Sequence, residues 1–183
     1  MKRILIILII FINTIDMALG QEIINNDKLN AKLPIGLLLV NNKKNLVKEV
    51  QHQLDVINTK IALGSRFQGK YVGNGIIKYF QYHSGDYISN ANYLKEREKG
   101  IYNLFTVDGV KNLPKYYQSK IHEFKNYSVL IVRSNIEEYL RYSIYSINDE
   151  HTKYLNCTLI SQIKDINQSD KEVEKFISSI HFK

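Results

Sequence analysis

The side chains able to do chemistry are few and widely spread. The lone cysteine, Cys157, alternates with Leu155 and Leu159 and has no histidine close to it in sequence. That pattern turns the thiol inward, where it behaves as a small apolar group and not as a nucleophile. The histidines His52, His83, His122, His151 and His181 lie far apart, and none forms the His-x-x-x-His spacing that brings two imidazoles to one metal. No metal and no cofactor is expected. His83-Ser84-x-Asp86 contains the residue types of a hydrolytic triad, but triads are assembled by the fold and not by adjacency. Glu137-Glu138, read as strand neighbours, point to opposite faces and cannot share one proton-transfer task. Asp149-Glu150-His151 falls on a turn, where adjacent side chains do not converge on one ion. Gly69-Lys70 lacks the Ser or Thr that follows the lysine of a phosphate-binding loop. Its flanks are β-forming, so two strands joined at Gly73-Asn74-Gly75 are the better account.

Tyrosine is the compositional feature left over: the chain has 13 Tyr and no Trp. Tyrosines suit half-buried surfaces where the ring packs and the hydroxyl stays wet, and they favour binding patches. They also serve plain strand propensity. Tyr139, Arg141, Tyr145 and Tyr154 share one face of a predicted hairpin and form the candidate binding face. Tyr71, Tyr79, Tyr82 and Tyr87 gather around the glycine-rich hairpin.

The elements that must position these residues begin with an export signal. Lys2 and Arg3 precede nine apolar residues, Ile4 to Ile12, and Ala18 and Gly20 occupy the small-residue positions before Gln21. That order predicts a cleaved secretory signal peptide over 1–20. Nine apolar residues are too few for a membrane anchor, which needs about 20. The residue after the cleavage point is Gln21 and not the cysteine of a lipoprotein, so a secreted or periplasmic protein without stable membrane insertion is expected. Removing residues 1–20 takes away Lys2, Arg3 and Asp16 and lowers the net charge from +7 to +6. The remaining basic residues are scattered, with no stripe suited to nucleic acid. One cysteine allows no internal disulfide, so apolar burial must hold a single domain together.

In chain order, Gln21 to Lys32 reads as a mobile N-terminal arm, and 33–183 as a single α+β domain. Leu33 to Val40 is an apolar strand, and Leu46, Val50, Leu54, Ile57 and Ile61 predict a long amphipathic helix over Asn45 to Leu63. A short helix follows over Asn90 to Lys99, capped by Ser89 and closed by Gly100, then a strand over Ile101 to Val107. Pro114 opens a predicted helix carrying Tyr117, Ile121 and Phe124. Val129-Leu130-Ile131-Val132 is a strand covered on both faces. Asn135 to Ile147 and Thr152 to Ile163 form a hairpin in which Ile144 opposes Leu155 and Tyr142 opposes Cys157. Ser169-Asp170-Lys171-Glu172 reads as a capping box before a helix whose stripe is Val173, Phe176, Ile177 and Ile180.

An early strand opening Leu33-Pro34, an antiparallel meander, and a final core strand with a helix closing Phe176-Ile177-Ser178-Ser179-Ile180-His181-Phe182 resemble the Mog1/PsbP-like superfamily. The resemblance lies mainly over Asn126 to Lys183. It implies an αβα sandwich around an antiparallel sheet, and a role as an accessory or binding domain without shared catalytic residues. The expectation is therefore an exported, non-catalytic binding or accessory protein that acts through a protein partner in the bacterial cell envelope. The alternative is a small-ligand-binding or hydrolytic enzyme with a site drawn from dispersed residues such as His83, Asp86 and His122.

Overall fold

The computed structural model describes residues 22–39, 68–73, 78–87, 90–107 and 110–183. The predicted signal peptide, the predicted helix over Asn45 to Leu63, and the turn residues Asn74 and Gly75 lie outside the described residues. The described part is an α+β chain organised on a seven-stranded antiparallel sheet. Its strands are β3 (Leu37–Leu39), β4 (Gly69–Gly73), β5 (Lys78–Asp86), β8 (Gln118–Glu123), β9 (Tyr127–Ile136), β10 (Tyr139–Asn148) and β11 (Lys153–Gln162), in the spatial order β3-β4-β5-β11-β10-β9-β8.

The central hairpin β10–β11 keeps the expected faces but sits two residues away from the expected register. Ile144 opposes Cys157, Tyr142 opposes Leu159 and Arg141 opposes Ile160. The turn decides this. The Asn148 carboxamide oxygen accepts from the amides of both Thr152 and Lys153, and His151 takes a positive φ of 55°, which sets the loop at 149–152. A two-residue slip leaves every side chain on its own face, so the alternation alone could not detect it. Glu137 and Glu138 are not strand residues; they form the tight β9–β10 turn, with Glu137 at φ 51°.

Where an arm was expected, residues 23–32 form a hairpin of β1 (Ile23–Asn25) and β2 (Leu29–Lys32). Asn26 turns it by accepting from the amides of Lys28 and Leu29. Ile24, Leu29 and Ala31 are buried in one core cluster with Phe176 and Ile177, and β12 (His181–Phe182) pairs with β2 to complete a three-stranded sheet. That pairing joins residues about 150 positions apart and leaves no local mark in the sequence. Of the described residues of the expected first strand, Leu37–Leu39 belongs to the large sheet, after a turn at Gly36, whose φ of 76° favours glycine.

Among the described residues, two helices flank the sheet. The first, α1 (Tyr93–Asn103), runs through Gly100 instead of stopping there. A Cβ at Gly100 would meet open space, so the glycine carries only the modest propensity cost of about 1 kcal/mol while Leu94 and Ile101 pack in one cluster on either side of it. The expected strand over Ile101 to Val107 shrinks to β6 (Thr106–Val107), paired with β7 (Val110–Lys111). The helix expected after Pro114 is instead the edge strand β8. Tyr117 and Ile121 are four apart, a spacing that keeps side chains together in a strand as well as in a helix, and pairing with β9 settles the choice.

The second helix, α2 (Ile166–Ser178), starts three residues before the expected cap and follows a 3-10 turn over Ile163–Asp165. Ser169 is therefore not an N-cap. It is buried in the helix, and its hydroxyl donates to Ser161 Oγ at 2.8 Å. Glu172 leaves the expected capping role as well and pairs with Lys78 at 2.5 Å, both side chains almost wholly buried. The stripe Val173, Phe176, Ile177 and Ile180 packs as expected on the sheet, with Phe176 edge-on to Phe80.

Candidate functional site

Each face of the sheet holds a concavity, and the two differ in chemistry. On the α2 side a small cavity of about 170 Å³ lies beside His122, Arg133, Tyr142, Asp170 and Glu174. Its groups serve one another. Arg133 Nη1 donates to Asp170 Oδ2 at 2.6 Å, and the Tyr142 hydroxyl donates to Asp170 Oδ1 at 2.8 Å. Burial, reinforced by the Asp170 carboxylate, pushes the Tyr142 phenol far above its ordinary value, so it stays a protonated donor. This is a satisfied structural network.

The α1 side holds an open cleft of about 720 Å³. Its floor comes from β9 and β10 and its wall from α1 and the two residues after it. Arg141, Ser143 and Tyr145 are alternate residues of β10 and share a face. Ser134 of β9 stands directly opposite Arg141, and Val132 opposite Ser143. From α1 come Tyr93, Arg97 and Ile101, each four residues from the next, and Glu96 beside them; Leu104 and Phe105 extend the apolar wall. Tyr87 closes one end through ring contacts with Tyr93 and Tyr154.

Electrostatically the cleft is basic and aromatic. The Arg97 guanidinium lies 4.7 Å from the centre of the Tyr145 ring. Burial raises the Tyr93 phenol above its ordinary value, with Arg97 opposing, so it remains neutral. Arg141 differs from the other described arginines, Arg97 and Arg133. Its Nε is buried and has no hydrogen-bond partner, whereas Arg133 is paired and Arg97 lies on an aromatic ring. Leaving such a donor unserved costs about 1–3 kcal/mol, a cost that a bound acceptor would remove.

Of the candidate face, Arg141 and Tyr145 meet in this cleft. Tyr154 sits on β11, next to the cleft but outside its lining, with its hydroxyl 2.7 Å from His83 Nδ1. Tyr139 is 3 % exposed, at the far end of β10, and presents little surface. The tyrosines near the glycine-rich strands divide between the two faces: Tyr71 and Tyr82 stack in the α2-side core, and Tyr79 is on the opposite face. The glycine beside Lys70 has a packing reason. A Cβ on Gly69 would meet the ring of Tyr82, its cross-strand partner, at 2.3 Å.

The dispersed enzyme set does not assemble. Ser84 and Asp86 point to the face opposite His83, where Ser84 bonds Gln68 and Asn26, and Asp86 pairs with Lys28. His122 lies on β8, four strand steps from β5 or roughly 19 Å, at about 4.8 Å per step. Cys157 is buried, and desolvation raises its thiol well above the ordinary range. Among the described residues no three His, Cys, Asp or Glu side chains group as metal ligands, and no helix is long and apolar enough to cross a membrane.

Sequence reasoning missed the α1 contribution. Tyr93, Arg97 and Ile101 carried a detectable spacing of four, but ending the helix at Gly100 cut Ile101, Leu104 and Phe105 away from it. No protein-family model matches the chain, and no curated protein shows significant similarity to it.

Proposed function

We propose that this chain is an exported, non-catalytic binding or accessory protein that engages a protein partner in the cell envelope through the α1-side cleft and its mouth. In this reading the sheet and its flanking helices form an αβα sandwich of the Mog1/PsbP kind. The observation that carries it is the character of the mouth. Leu104, at 76 % exposed, and the half-exposed Tyr87 line the mouth of a basic, aromatic cleft, and Val110, at 68 %, is exposed on the β6–β7 hairpin that follows α1. Exposed apolar groups gathered beside Tyr and Arg are the composition of a contact surface. The protein's positive net charge favours an acidic partner.

Site-specific photo-crosslinking tests the assignment. A photoreactive residue at Leu104 of the mature chain is expected to trap a discrete envelope protein, while the same group at Lys175, exposed on the outer face of α2, traps none. Equal yields from both positions, or none from Leu104, would reject this face.

A further inference from the structure

We propose that the floor of the α1-side cleft is a binding site for a small amphipathic monocarboxylate, with Arg141 as the carboxylate anchor. This goes beyond docking of a protein at the mouth and does not depend on it. Three observations converge. Arg141 presents a planar fork whose Nε is already buried yet has no acceptor, and a carboxylate is the group that such a fork engages with two parallel bonds. Ser134, directly across from Arg141, and Ser143, two residues along β10, add hydroxyls beside that anchor. Neither serine side chain is engaged by another described residue. Around this polar floor stand Ile101, Leu104, Phe105 and Val132, so the ligand's body is apolar.

Charge selects the anion class. The lining holds Arg97, Arg141 and Glu96, one positive charge in excess. A monoanion balances that excess; a phosphate dianion overshoots it and is repelled by Glu96. The volume of about 720 Å³ lies within the range of small-molecule sites.

The test titrates the mature chain with octanoate, octanol and octyl phosphate by calorimetry, and follows the Arg141 Nε–H signal by NMR. Octanoate is expected to bind and to shift that signal. Octanol is expected to bind about tenfold more weakly or worse, the loss carried by one charge-assisted hydrogen bond. Arg141→Gln should lose octanoate by a similar factor while melting at the wild-type temperature, and Arg141→Lys should recover only part of it. If Arg141→Gln does not fold, Ile101→Glu serves instead, because a carboxylate in the wall should repel octanoate. Octanol binding as tightly as octanoate, or octanoate binding unaffected by these variants, would overturn the site. Octyl phosphate binding more tightly than octanoate would overturn the carboxylate assignment. A partner trapped at Leu104 with no octanoate binding would reject this inference and leave the proposed function standing.

Discussion

On one face of the seven-stranded sheet, α2 buries Val173, Phe176 and Ile177 against Phe80, Leu140, Ile144, Leu155 and Leu159; on the other, α1 buries Leu94 alone. The polar groups follow the same division. Under α2, Lys78 pairs with Glu172, Ser169 with Ser161, Arg133 and Tyr142 with Asp170, and the Tyr127 hydroxyl donates to the Ile177 carbonyl; Ser146 Oγ is an exception without a partner. On the α1 side, Arg141 Nε, Asn156 Oδ1 and the Tyr117 hydroxyl are all buried without one. A face that satisfies its own groups has closed on itself for stability. One that keeps a cleft and unserved polar groups has kept capacity for something else.

Three measurements would break or sharpen that contrast. The largest effect belongs to Phe176→Ala, which empties a site 2 % exposed against the Phe80 ring. It should cost about 3–5 kcal/mol in chemical denaturation, while Leu104→Ala at the cleft mouth should change stability by no more than about 0.5 kcal/mol. Equal costs would erase the distinction between the faces. Glu172→Gln comes next. It leaves the Lys78 ammonium buried without a counter-charge, at about 3 kcal/mol, and pairing it with Lys78→Met should recover most of that loss. A single variant as stable as wild type would show that the ion pair is not part of the closed face.

The smallest effect is a pH dependence from His122. Burial lowers its pKa below the ordinary 6.5, with Lys120 adding to the shift and Glu174 opposing it. The unfolded chain therefore binds the proton more tightly than the folded one. The contribution of His122 is whole above the unfolded value and is lost as pH falls through the lower folded value. His122→Gln should flatten the decline in melting temperature between about pH 7 and about pH 5, and an unchanged decline would remove His122 from this account.

Several features were legible in the residues alone because they rest on local period. The inward Cys157, the buried stripe of α2, the doubly covered run Val129–Val132 and the α+β class all follow from which neighbours share a face. Others were decided by contacts between distant parts of the chain. Ser169 and Glu172 carried the types and spacing of a capping box, yet Ser161 and Lys78 on neighbouring strands claim them once the sheet forms. Residues 23–32 had too short an alternation to announce a hairpin; β12, more than a hundred residues later, extends its sheet, and Phe176 and Ile177 of α2 share the core cluster that buries Leu29. Tyr117 and Ile121 fit either period, and the open edge of β9 selects the strand. The candidate site has the same dual origin. Alternation along one strand put Arg141 and Tyr145 on a shared face, but it could not foresee that Tyr139 would be buried or that α1 would raise a wall beside them. A strand's period says which side a residue faces; only the packed helix determines whether that side becomes core or cleft.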